Sequence, residues 1–298
     1  MKFRLLVVIP FVVVSSLPGH PGHEALSTVP PPATAPEVKI TVENGQRVIR
    51  ANGIPDHPTG PFPGRGNPNA IAPQRHEFRV SARPQPAATP TPTGMSPFGI
   101  AVNGVLLDPA AAEWWRDDRN SGWQYEALGG GRNLGIDAEH AHVQPTGAYH
   151  YHGLPAALLA RLTAGEKRMV LLGWAADGFP IYGPWIPGEA GNLTSPLRRA
   201  TSSYRLKPGQ RDGGPGGAHD GTYVQDWTYV AGAGDLDAAN GRTGPTPEYP
   251  DGTYYYVLTD DFPFIPRQWR GTPDESFIRR PGAGGGGAGK KKKQGPPR

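Results

Sequence analysis

The chain has 298 residues, with 42 glycines, 36 prolines and no cysteine. The missing cysteine excludes disulfides, thiolate metal ligands and a cysteine nucleophile, so any metal must be held by His, Asp, Glu or backbone oxygen. The formal charge of +4 is carried by the ends. Without Lys2, Arg4, Lys290, Lys291, Lys292, Lys293 and Arg298 the body holds 23 Lys+Arg against 26 Asp+Glu, a net −3 that argues against a nucleic-acid binder.

The N-terminus reads as a secretory signal over residues 1–26. Lys2 and Arg4 supply the positive start, and residues 5–17 supply an apolar core too short to span a bilayer comfortably and broken by Pro10. There is no clean A-x-A cleavage site, and an uncleaved N-terminal anchor is the alternative. The expectation is an exported protein, periplasmic or secreted, with no transmembrane segment beyond the signal. Residues 18–36 are rich in proline and small residues, so the stretch 27–36 left after the signal is a flexible lead-in.

Residues 39–50 alternate around Asn44-Gly45, which predicts a hairpin because Asn-Gly supplies the positive φ values of a tight turn. The Pro/Thr-rich residues 83–97 read as a surface loop. Strand-like runs follow at 98–107, 169–175 and 253–258. Helical pattern is scarce: 155–162 is the best candidate, with Pro155 suited to a first turn, and 109–115 a shorter one. Residues 281–298 are rich in Gly, Lys and Pro and are expected to be disordered, a solvated end rather than a binding arm. The fold class this predicts is mainly β with a few short helices (β-rich, α+β), a single domain of short antiparallel strands over 37–280. Residues 145–152, 219–227 and 249–256 share a glycine turn followed by a tyrosine-bearing strand. Repeated turn chemistry in a β-rich chain accounts for this echo without duplication.

Residues 140–152 read His-Ala-His-Val-Gln-Pro-Thr-Gly-Ala-Tyr-His-Tyr-His. In a strand, residues two apart share a face, so His140 pairs with His142, and His150 with His152. A three-residue hairpin loop suits Pro145, whose φ is preset, and Gly147, which accepts a left-handed backbone. That loop pairs Gln144 with Ala148, then sets His142 opposite His150 and His140 opposite His152. All four imidazoles fall on one face, with opposed Cβ atoms about 4.5–5.5 Å apart. The other face carries Val143 opposite Tyr149 and Ala141 opposite Tyr151. Imidazole is a common ligand for zinc and copper, so His140, His142, His150 and His152 are the candidate metal ligands. Asp137 and Glu139 could orient the rings from behind, as could Asp56 and His57 from a distant loop. A polar hairpin face without a metal is the bland reading.

Asp177, at the end of an apolar strand, is a candidate ligand or general base, with turn formation as its plain alternative. Seven tryptophans and the run Tyr254, Tyr255, Tyr256 read as core. There is no Gly-rich phosphate loop, G-x-S-x-G elbow or H-E-x-x-H helix.

The stretch 141–155, AHVQPTGAYHYHGLP, resembles the signature of the YHYH protein family, named for Tyr-His-Tyr-His, here Tyr149, His150, Tyr151 and His152. GIPDH at 53–57, FGIAVNGVLLDP at 98–109, AADGFPIYG at 175–183 and residues 236–267 also resemble the family, so the likeness covers roughly 37–280. It implies an exported, single-domain protein and brings no settled activity. Three readings follow: an exported binder of a transition metal ion, copper or zinc; a hydrolase, metal-dependent or using a histidine with Asp177; and a non-catalytic module for glycan or protein.

Overall fold

The computed structural model describes residues 33–279. The expected signal and the expected disordered tail lie outside the described residues. The strands are β1 (Val38–Glu43), β2 (Gln46–Ala51), β3 (His76–Ser81), β4 (Pro86–Pro92), β5 (Gly99–Ala101), β6 (Leu106–Leu107), β7 (Ala141–Val143), β8 (Tyr149–Tyr151), β9 (Leu171–Ala175), β10 (Pro180–Tyr182), β11 (Trp185–Pro187), β12 (Leu197–Arg199), β13 (Tyr204–Leu206), β14 (Trp227–Tyr229), β15 (Gly241–Thr246), β16 (Tyr249–Val257) and β17 (Gln268–Gly271). Among the described residues one α-helix, α1 (Ala156–Thr163), lies between β8 and β9. The chain is mainly β with few short helices, and no described helix is long and apolar enough to cross a membrane.

Local chemistry explains the first elements. Asn44 and Gly45 both take positive φ, at 50° and 76°, and join β1 to β2 in the tight hairpin their sequence predicts. Pro155 sits at the N-cap of α1, where its missing N–H costs nothing. Residues 109–115 are not helical; the only helical turn there begins at Trp115, and Trp114 instead bridges to Gln124. The Pro/Thr-rich stretch is not a plain loop: β4 pairs with β17 as a two-stranded ribbon. Prolines are tolerated there because an edge strand needs only some of its amides.

The central sheet has eight strands in the order β15-β16-β10-β9-β5-β6-β8-β7, and its pairing senses are symmetric about the β9–β5 centre. At the centre β5 and β9 run antiparallel, with Gly99 opposite Ala175, Ile100 opposite Trp174 and Ala101 opposite Gly173. Outward on one side, β6 pairs antiparallel with β5 and parallel with β8, and β7–β8 close the edge as a hairpin. On the other side β10 pairs antiparallel with β9 and parallel with β16, and β15–β16 close that edge. The registers correspond residue by residue: Leu107 faces Tyr151 as Ile181 faces Tyr256, and His142 faces His150 as Arg242 faces Tyr255.

The matching extends to turns. Asp137 accepts the amides of Glu139 and Ala141 on Oδ1, and Asp237 accepts those of Ala239 and Gly241 on Oδ1. His140 and Asn240 then both take φ of 54°. Tyr149 donates to Asp137 and Tyr254 to Asp237. The sequences behind these turns, IDAEHA at 136–141 and LDAANG at 236–241, are alike, as are GIAVNG at 99–104 and GWAADG at 173–178. The echo between 145–152 and 249–256 is therefore a duplicated unit of the sheet. Turn chemistry alone does not account for it, because the pairing, handedness and buried bonds repeat as well. Most matched positions carry different residues, which hides the repeat from a linear scan.

The main core lies on the tyrosine face of this sheet, where Phe98, Tyr149, Tyr151, Phe179, Ile181, Tyr256 and Trp269 are all buried. Each such side chain contributes about 1.5–3 kcal/mol of burial energy. A smaller cluster of Met169, Tyr182, Ile186, Leu236, Tyr255 and Val257 covers the opposite face of the second half. The equivalent face of the first half carries the histidines.

Candidate metal centre

The hairpin β7–β8 has the register its sequence predicts. Gln144 donates to the Ala148 carbonyl (2.9 Å), Gly147 takes φ of 85°, and His142 stands opposite His150. Strand alternation carries His152 to the same face. The result is a cluster of three imidazoles, His142, His150 and His152, whose candidate ligand atoms all lie within 4.8 Å of one another. The Nε2 of His152 lies 3.0 Å from that of His150 and 3.1 Å from that of His142. The rings meet edge to face, with centroids 4.7–4.8 Å apart.

The outer nitrogens fix the ring orientations. His142 Nδ1 lies 2.8 Å from the Leu134 carbonyl, and His150 Nδ1 lies 3.3 Å from that of Ala148. A carbonyl only accepts, so both Nδ1 atoms carry the hydrogen and both Nε2 lone pairs point inward. His152 Nδ1 is buried without a hydrogen-bond partner. Burial, with the neighbouring His142 charge second, pushes the His150 imidazolium down to about 3. Burial also drives His152 well below the usual histidine range, with His150 and His142 adding to the effect. Both rings are therefore neutral near pH 7, the form that binds a metal.

These residues fit a metal ion. Converging imidazoles, two of them with the outer nitrogen anchored on a carbonyl and the lone pair turned inward, form the arrangement metal-ligating histidines adopt. Tetrahedral bonds of about 2.0–2.1 Å would set the nitrogens about 3.3 Å apart, a few tenths of an ångström wider than the spacing found.

His140 is not in the cluster. It stands opposite His152 along the chain, its carbonyl accepting the His152 amide at 2.7 Å. But the chain curls around the Asp137 carboxylate, and the positive φ at His140 breaks strand alternation before that residue. Its Nδ1 meets the Leu154 carbonyl at 2.9 Å instead.

The other candidates sit away from the three rings. Asp137 is occupied by Tyr149, Gly60 and its own turn. Glu139 caps the start of α1 through Ala157, with its second oxygen buried and unpartnered. His57 bonds Tyr151 at 2.5 Å, and Asp56 joins Asn103 and Arg161. Tyr149 and Tyr151 lie on the hairpin's opposite face, so Asp137 and His57, bonded to them, orient the tyrosines rather than the imidazoles. Asp177 belongs to the second half, at the position Asn103 holds in the first. Its carboxylate accepts from Tyr256 (2.5 Å), Gly271 (2.8 Å) and Phe179 (3.2 Å). The half without histidines keeps this clamp.

Sequence reasoning passed over Asp108. It follows β6, is 1% exposed, and lies within electrostatic reach of His142. The signal that could have found it is the repeat itself, since Asp108 aligns with Tyr182.

The YHYH protein family matches residues 77–271, well over half of the chain. No curated protein and no solved structure matches it. The match spans the whole central sheet and both hairpins, including Tyr149, His150, Tyr151 and His152, and the chain belongs to the YHYH protein family.

Proposed function

We propose that this is an exported metal-binding protein whose centre is His142, His150 and His152, with copper or zinc as its ion. The observation that carries the reading is the convergence of three imidazoles, with His152 Nε2 3.0 Å from that of His150 and 3.1 Å from that of His142, and with Nδ1 of His142 and His150 tied to carbonyls. Export is supported by the positively charged, apolar N-terminus. Imidazole donors suit both ions, copper by intrinsic affinity for nitrogen and zinc by preference for four-coordinate geometry. The bound ion would supply a fixed positive charge at the edge of the sheet.

Elemental analysis of the mature chain, purified without a histidine tag, tests this directly. One equivalent of metal is expected in the native protein and none in His150→Ala/His152→Ala. Loading at one hundred times Kd should also stabilise the native protein by about 2.7 kcal/mol and leave the variant unchanged. No metal in either protein after loading with copper and with zinc would overturn the reading.

A further inference from the structure

We propose that Asp108 is the fourth member of this centre, a carboxylate that binds the ion beside the three imidazoles and favours zinc over cuprous copper. The inference rests on the metal-binding reading above. Three observations carry it.

The first is position. β6 pairs parallel with β8, Leu106 beside His150 and Leu107 beside Tyr151, and the Asp108 amide continues the ladder to the Tyr151 carbonyl at 2.9 Å. Residues side by side on adjacent strands share a face, and the strands are about 4.8 Å apart. Asp108 therefore stands next to His152 on the imidazole face.

The second is bonding. Asp108 is buried, yet neither carboxylate oxygen completes a hydrogen bond. Arg279 Nη1 comes within 2.9 Å of Oδ2, inside ion-pair distance but off the hydrogen-bonding direction, and the Arg279 side chain is itself 39% exposed. The Arg279 ion pair and the nearby Ala110 amide answer part of this carboxylate, and its oxygens keep acceptor positions that a metal ion could take.

The third is the comparison of the halves. Asp108, His142, His150 and His152 correspond to Tyr182, Arg242, Tyr255 and Val257. In the second half these four fill their own space. Tyr182 packs edge-on to Tyr255 (5.4 Å), donates to Glu248 and accepts from the Thr246 hydroxyl, while Arg242 bonds the Tyr255 hydroxyl (2.6 Å). In the first half the same four positions hold one acid and three imidazoles. The tyrosine clamps around them are alike in both halves. The four positions differ as a set, which marks them as one site.

A carboxylate brings a hard oxygen donor and a negative charge, both matched to a divalent ion. Cuprous copper, softer and singly charged, is served by imidazoles alone. The test uses the full mature chain, untagged, stripped with chelator and titrated with zinc and separately with cuprous copper. Asp108→Asn should weaken zinc by about tenfold or more and leave cuprous copper within about twofold. Unchanged zinc affinity in Asp108→Asn would overturn the proposal and leave the three-imidazole centre standing. Native protein that takes neither ion would overturn both. If Asp108→Asn loses both ions through misfolding, the infrared difference between zinc-loaded and stripped native protein decides. A shifted carboxylate stretch supports Asp108 at the ion, and an unshifted carboxylate region overturns it.

Discussion

Asn103 and Asp177 occupy the same place in the two halves of the central sheet. Asn103 donates to the Tyr151 hydroxyl at 2.9 Å, and Asp177 accepts from the Tyr256 hydroxyl at 2.5 Å. Each also takes the amide two residues on, from Val105 at 3.3 Å and from Phe179 at 3.2 Å. The pair shows how one turn–strand unit is built twice, with the sense of one hydrogen bond reversed between amide and carboxylate.

Asp177→Ala should destabilise the protein without touching metal uptake. It leaves the Tyr256 hydroxyl and the amides of Gly271 and Phe179 without an acceptor in the core. Each orphaned donor costs about 1–3 kcal/mol, and the three share one carboxylate, so a loss of about 3 kcal/mol or more is expected in urea unfolding. Metal stoichiometry should stay at one. A variant that kept its stability but lost an activity would return Asp177 to a catalytic role.

The same residue sets a pH dependence. Burial pushes the Asp177 carboxyl up, against the opposing bonds from Tyr256, Gly271 and Phe179. A raised folded-state value means the group's contribution is complete at pH below the ordinary value of 3.8 and is lost as pH rises through its own range. Native stability minus that of Asp177→Asn, which does not titrate, should therefore fall from acid toward neutral pH. A flat difference between about pH 3.5 and 7 would show that the carboxyl is unshifted.

His140→Asn should be close to neutral for stability and should keep the metal. Asn240 holds the equivalent position at the same φ of 54°, and asparagine accepts the left-handed region more readily than most residues. The change loses one imidazole bond to the Leu154 carbonyl, worth about 1 kcal/mol, and gains in backbone fit. Thermal unfolding and metal content together check it, and loss of the ion would place His140 among the ligands.

Gly99→Ala and Gly173→Ala should be matched in damage. A Cβ on Gly99 would lie 2.4 Å from the Trp174 carbonyl oxygen, and one on Gly173 would lie 2.2 Å from that of Ile100. Both clashes are with backbone across the central pair, so neither can be relieved by a rotamer. Losses of about 2–3 kcal/mol each are expected by chemical denaturation. A large loss at one site alone would mean that the central pair is less symmetric than its register.

Much of the hairpin was legible in the chain. Pro145 and Gly147 set the loop, the loop set the register, and alternation then placed His142, His150 and His152 on one face and Tyr149 and Tyr151 on the other. The β-rich class and the Asn44-Gly45 turn were legible for the same reason: they depend on backbone preferences within a few residues. The tertiary structure decided the rest. His140 left the cluster because the Asp137 carboxylate gathers the amides of Glu139 and Ala141 into a turn, and strand periodicity stops where that turn begins. Asp108 came to stand beside His152 because β6 lies parallel to β8, a pairing between segments more than thirty residues apart that no local pattern announces. The doubling of the sheet was hidden for a related reason. Burial selects for shape and for satisfied polar groups, so histidine could stand where the other half holds arginine, tyrosine and valine while the strands kept their order. Local sequence determined which side chains shared a face; the packing of distant strands determined which faces met.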